Sequence, residues 1–218
     1  RSAFDHLKSV FSVSRLSDEE QQLLREMSLL GRADIPARIF KEWADLPSFD
    51  LVNRMIRRSW IRREAGQQLS LHPLVSEVLR ESLKPSYENC SGFLERIGDF
   101  MYRAWHRPYG ENLAVKDCIL EAAEYLAPFE GTNMELWTMF SNFLWQVADF
   151  TDSIRLGHVA WDTCLAERGE ADMVTGFTAK SLGGCYWNSG RAEESVRWYE
   201  QGLKSMLDSG APENEDIA

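Results

Sequence analysis

The 218-residue sequence has few of the features that announce chemistry. No GxxxxGK[ST] string is present to cradle phosphates with backbone N–H groups and a lysine, and Gly31, Gly66, Gly92 and Gly98 all stand alone. No apolar run ending in Asp is found either, and GxSxG and HExxH are missing. The histidines (His6, His72, His106, His158) have no second histidine or cysteine at ligand spacing, so no metal site is expected. Cys90, Cys118, Cys164 and Cys185 are scattered, with no CxxC pair. They read as buried free thiols of a reducing cytosol, and a cytoplasmic location is expected. No apolar run approaches the ~20 residues of a membrane span. The sequence starts at Arg1 with neither methionine nor signal-peptide pattern, so it reads as a segment of a longer protein. Together these absences lead us to expect no catalytic residue in this chain.

An ordinary globular balance remains, 44% apolar and 27% charged, but the charge is unevenly placed. Residues 1–90 carry 14 Lys/Arg against 13 Asp/Glu, and residues 91–218 carry 10 against 21. The step predicts two domains, 1–88 and 89–218. The acidic half should repel nucleic acid and anionic membrane and favour basic partners. Acidic clusters such as Asp18-Glu19-Glu20 and Glu193-Glu194 stand at helix starts, where carboxylates favour the dipole.

In Thr178–Leu203 two amphipathic helices are joined at Asn188-Ser189-Gly190-Arg191. Leu182, Gly183 and Tyr186 share a face of the first helix, and Ser195, Tyr199 and Gly202 a face of the second. Small residues at 183, 195 and 202 admit a close helix approach, with Tyr186 and Tyr199 filling the space beside them. This alternation resembles a tetratricopeptide (TPR) repeat. A shift of 42 residues brings out an earlier copy: Trp137, Phe140, Ser141 and Leu144 fall on 179, 182, 183 and 186, and Ser153, Gly157 and Ala160 on 195, 199 and 202. The excess over the family's 34 residues is assigned to a longer second helix and to the turn at 169–172. The predicted array comprises a degenerate hairpin at 91–130 and repeats at 134–168 and 176–208, with further repeats expected beyond. In the first hairpin, Phe93, Leu94, Ile97, Phe100, Met101, Ala104 and Trp105 mark a helix over 91–106 that Pro108 and Gly110 end. Its partner is expected over Val115 to Phe129, with Ile119, Ala122, Ala123 and Leu126 inward.

Most tryptophans here, Trp137, Trp161 and Trp198 among them, read as core or inter-repeat filler. The TPR resemblance implies that the first helix of each repeat lines a concave groove. That places Thr138, Asn142, Trp145, Gln146, Lys180, Gly184, Trp187 and Asn188 as candidate contacts to a protein or peptide ligand.

Residues 1–90 follow another pattern. A short helix is expected around Leu7, Val10 and Phe11, stopping near Ser14. A second opens at Ser17 with a capping-box Glu20, carries Leu23, Leu24, Met27 and Leu30 inward, and stops at Gly31. A third spans Pro36–Trp43 behind an Asp34 cap. A fourth spans Ser48–Ser59 with Leu51, Val52, Met55 and Ile56 inward. Residues 60–64 and 68–71 alternate around Ala65-Gly66-Gln67 as a β-hairpin. Pro73–Leu83 closes the set, with Leu74, Val75, Val78 and Leu79 on one side. Helices, a two-stranded wing and a helix describe a winged-helix domain.

Residues 28–43 (SLLGRADIPARIFKEW), 49–64 (FDLVNRMIRRSWIRRE) and 69–81 (LSLHPLVSEVLRE) resemble the winged-helix domain of STAND-type signalling ATPases, which include the NB-ARC proteins. In that family the domain follows a nucleotide-binding module and often precedes TPR sensors. The resemblance implies a mainly α chain: an N-terminal winged helix followed by a TPR-like right-handed α-solenoid. It also implies an upstream nucleotide-binding domain in cis, with ATP/ADP as cofactor of the whole protein and none in this segment. His72 matches the histidine of the family's Met/Leu-His-Asp motif, which reaches the phosphates of ADP; here Pro73 replaces the aspartate. Ligand binding to the repeats would then favour an open over a closed arrangement. A second reading takes Asn53, Arg54, Arg57, Arg58, Arg62 and Arg63 as a DNA-binding stripe of a transcriptional regulator. The near-neutral first half and acidic second half weigh against it.

Overall fold

The structure, a computed structural model, describes residues 11–127 and 134–210. Among these residues it is mainly helical, with ten α-helices and one small three-stranded sheet. Contacts divide the chain into two compact units: Arg1–Arg103 with Arg107–Thr132, and Ala104–His106 with Asn133–Ala218.

In the first unit, residues 1–10 of the expected opening helix lie outside the described residues. The first described element is a single 3-10 turn, Val13–Arg15. Helix α1 (Asp18–Leu29) opens on the expected capping box: the Glu20 amide donates to Ser17 Oγ at 3.3 Å and the Ser17 amide to the Glu20 carboxylate at 3.1 Å. Asp34 caps nothing. Ile35–Pro36 instead forms β1, pairing with β3 (Gln68–Ser70), which also pairs with β2 (Arg62–Glu64) in an antiparallel β1-β3-β2 sheet. The third strand was not foreseen, because two residues become a strand only through a partner more than thirty positions away. Helix α2 (Ala37–Trp43) follows β1 directly, with Pro36 at the cap position.

Helix α3 (Asp50–Arg57) is shorter than expected and stops before Ser59, whose φ is +60°. Its Val52 and Met55 are buried, whereas Leu51 and Ile56 are only partly so. Helix α4 (Pro73–Leu83) has the expected bounds, with proline at its first position. Leu74, expected inward, is 40% exposed. The buried arc runs through Val75, Val78, Leu79 and Leu83, and Leu74 lies about 40° beyond Val78 at its edge.

Helices α5 (Ser91–Tyr102) and α6 (Tyr109–Leu126) pack with these elements, so the unit continues past residue 88. Fully buried Trp43 meets Phe93 and Phe100 of α5 edge-on, with ring centroids 6.2 and 5.3 Å away. Helix α6 starts at Tyr109 rather than 115, with Pro108 as its cap residue and Gly110 inside it. Phe129 lies outside the described residues. The inward positions Ile119, Ala122, Ala123 and Leu126 are buried, as are those of α5. The exception is Trp105, 63% exposed, because α5 stops at Tyr102 and Ala104–His106 forms a separate 3-10 turn.

The second unit holds α7 (Met134–Gln146), α8 (Phe150–Arg168), α9 (Met173–Asn188) and α10 (Ala192–Asp208), two successive helical hairpins. Their turns match at a spacing of 42. The Ala148 amide donates to the Trp145 carbonyl (3.0 Å) and the Asp149 amide to Leu144 (2.9 Å). In the next hairpin Gly190 donates to Trp187 (3.0 Å) and Arg191 to Tyr186 (2.9 Å). This pattern, with left-handed φ of +61° at Ala148 and +80° at Gly190, is a Schellman helix end. Across each hairpin a serine of the second helix ties down a carbonyl of the first: Ser153 Oγ donates to Ser141 O at 2.8 Å, and Ser195 Oγ to Gly183 O at 2.9 Å.

Bulk is exchanged between the copies. Where the first pairs Ser141 with Gly157, the second pairs Gly183 with Tyr199, and a Cβ at 183 would meet the Tyr199 ring at 2.9 Å. Gly202 is held against backbone, where a Cβ would lie 2.9 Å from Gly176 O and 3.0 Å from Lys180 N.

Candidate functional site

On α7, Thr138, Asn142, Trp145 and Gln146 lie at i, i+4, i+7 and i+8, one face of a helix. Lys180, Gly184, Trp187 and Asn188 repeat that face on α9, 42 residues on. Lys180, Trp187 and Asn188 are exposed, and the other five are partly buried. The amides are less available than their type implies: Asn188 Nδ2 donates to Gly184 O at 2.8 Å, within its own helix. Gln146 Oε1 is buried with no hydrogen-bond partner. The two tryptophans differ. Trp105 lies edge-on to Trp145 with centroids 5.1 Å apart, whereas Trp187 is 63% exposed.

A second feature was not foreseen. Trp161 of α8 and Trp198 of α10 meet edge-on at 5.3 Å and, with Leu165, floor a cleft of about 500 Å³. Arg197, Gln201 and Glu170 rim it, and Glu170 accepts from Gln201 Nε2 and Lys204 Nζ, both at 2.9 Å. Both tryptophans serve as inter-repeat packing, as their spacing implied; no sequence signal joined the polar rim to them. Beside the cleft, His158 Nε2 and the Tyr186 hydroxyl are 2.8 Å apart, and Trp198 stands edge-on to His158 at 5.2 Å. Burial lowers the His158 pKa, against the pull of Asp162 and with the help of Arg191.

In the first unit, His72 is the exposed residue ahead of α4. Its Nδ1 accepts the Leu74 amide at 3.3 Å, which caps the helix and leaves the ring proton of the neutral form on Nε2. The arginine stripe is largely engaged. Arg58 and Arg54 converge on Glu20 at 2.8 and 3.5 Å, Arg62 meets Glu64 at 3.1 Å, and Arg63 donates to Asn53 at 2.9 Å. Burial would raise the Glu20 pKa, but the Ser17 amide and the two guanidiniums outweigh it and hold the carboxyl below its usual range. Arg57 is exposed, with no ion pair among the described residues.

All four cysteines are buried and free, and burial pushes the Cys90 thiol up to about 12. Among the described residues no three His, Cys, Asp or Glu side chains gather as a metal site, and no helix is long and apolar enough to cross a membrane.

No family model matches the chain, and no curated protein matches it in sequence. Among solved structures, it is similar to a Signal Transduction ATPase with Numerous Domains (STAND) protein with a tetratricopeptide repeat sensor, from Pyrococcus horikoshii. The identity is 13% and the TM-score 0.32, over 96% of this chain and 47% of the other. The chain therefore spans about half the length of that protein.

Proposed function

We propose that this chain is a non-catalytic regulatory and interaction module of a STAND-type, NB-ARC-like cytoplasmic ATPase. In this reading residues 1–88 act as a winged helix that couples a TPR sensor to an upstream nucleotide-binding domain in cis, where ATP or ADP is the cofactor. The sensor receives a protein or peptide on the face carrying Thr138, Asn142, Trp145, Gln146, Lys180, Trp187 and Asn188. The observation that carries the reading is the paired face itself: equivalent residues 42 apart, with Trp187 exposed at the end of a helix whose turn and serine tie are duplicated. Hairpins joined in this repeated way hold a rigid surface, and a rigid aromatic anchor loses little entropy on binding. The geometry at His72 is compatible with the phosphate role the resemblance implies, since Nε2–H faces away from the bond that caps α4. The DNA-regulator reading is less well supported, because Arg54, Arg58, Arg62 and Arg63 are engaged within the unit.

The test is a selection of random displayed peptides on the 218-residue chain. The reading expects enriched peptides whose binding falls at least tenfold with Trp187→Ala or Lys180→Glu. Failure to enrich any peptide, or enrichment indifferent to both substitutions, contradicts it.

A further inference from the structure

Trp145 and Trp187 hold one place in successive hairpins, each three residues before the left-handed residue of its turn. They differ in their cover. Trp145 carries the ring of Trp105 edge-on at 5.1 Å, with an interplanar angle of 65°, and is partly buried. That ring arrives on a single 3-10 turn, Ala104–His106, which belongs to neither hairpin and is anchored by buried Ala104. The molecule thus contains a short peptide docked by an aromatic side chain on the first copy of the face. Trp187, in the second copy, is open.

We propose that Trp187 receives the aromatic side chain of a short peptide, seated as the Ala104–His106 turn is seated on Trp145. This rests on the interaction-module reading and names the class of ligand for its face. One observation fixes the chemistry. The docked turn meets Trp145 through the indole of Trp105. An edge-to-face aromatic pair gives orientation beyond the burial of area.

The test uses the acetylated, amidated peptide of residues 103–108 as probe and the indole N–H resonances of the 218-residue chain as readout. The Trp187 signal is expected to shift saturably. Replacing the peptide's tryptophan by alanine should weaken the effect at least tenfold, and the Trp187→Ala chain should not respond; that residue is exposed, and circular dichroism checks the fold. In the Trp105→Ala chain the Trp145 indole should respond as well, giving two sites instead of one. A Trp187 signal that stays still, or moves equally with the alanine peptide, overturns the proposal. If displayed peptides are selected through Trp187 but carry no aromatic residue, this proposal fails while the interaction-module reading stands.

Discussion

The two units are built on opposite principles. The first joins elements far apart in sequence: Trp43 meets Phe93 and Phe100, β1 pairs with β3, and Arg80 Nε donates to the Ser28 carbonyl 52 residues away. Arg25 likewise reaches the Leu83 carbonyl at 3.2 Å. The second joins neighbours, α7 to α8 and α9 to α10, through duplicated turns and serine ties. A residue in the first unit therefore has a role of its own, whereas one in the second has a counterpart 42 positions away that serves as its control. Function follows the same division: differences between counterparts, such as covered Trp145 and open Trp187, mark what repetition alone does not require.

The largest effect belongs to the unit without copies. Trp43→Ala removes the indole on which α5 meets α2 and should destabilise by about 3–5 kcal/mol in urea unfolding. Hydrogen exchange should speed in α1–α6. Equal acceleration in α9 and α10 would deny that the units have separate cores.

Next is Gly202→Val, whose side chain would press on the Gly176 carbonyl and Lys180 amide. Backbone cannot yield as a side-chain tip does, so we expect about 2–4 kcal/mol of destabilisation and faster exchange in α9 and α10. A wild-type urea midpoint would show that the helices are not held that close.

Counterparts in the turns should respond with opposite signs. Ala148 bears a left-handed φ that glycine adopts freely, so Ala148→Gly should stabilise by about 0.5–1 kcal/mol, and Gly190→Ala should cost about 1 kcal/mol. Equal signs in thermal unfolding would break the equivalence.

The units also differ in their response to pH. Burial raises the Glu26 carboxyl from 4.5 to about 7, against the Gln22 bond and the Arg96 and Arg25 charges. Its contribution to the first unit is present below 4.5 and lost as pH rises to about 7. His158 is lowered from 6.5 by burial, so its contribution to the second unit is present above 6.5 and lost as pH falls. Glu26→Gln should remove the loss between pH 4.5 and about 7, and His158→Gln the loss in acid. Urea midpoints between pH 5 and 8 check both, and an unchanged profile in either variant counts against its assignment.

The same contrast explains what the sequence could reveal. Local rules marked the Ser17 capping box, the Pro73–Leu83 helix, the hairpin around Gly66 and the 42-residue spacing, because each is set by residues a few positions apart or by repetition. Features fixed by distant partners stayed hidden. Ile35–Pro36 is a strand only beside Leu69 and Gln68. The apolar period of Phe93 and Phe100 announces a helix but not Trp43 as its neighbour. The charge step at residue 90 does not coincide with the border of the compact units, since exposed positions set charge and buried ones set packing. At the candidate face, helical spacing placed Trp145 and Trp187 on equivalent positions. The ring that covers one of them was read as part of α5, because Trp105 continues that helix's apolar period past its end.

The central claim is that these two tryptophans occupy one structural place, filled in the first hairpin and vacant in the second. Fluorine NMR of 5-fluorotryptophan-labelled chain reads it directly through the H2O/D2O shift of each ring. The account predicts a larger solvent shift for Trp187 than for Trp145, and a Trp145 shift that rises to the Trp187 value in Trp105→Ala. Equal shifts in the unsubstituted chain, or a Trp145 signal indifferent to loss of Trp105, would contradict it.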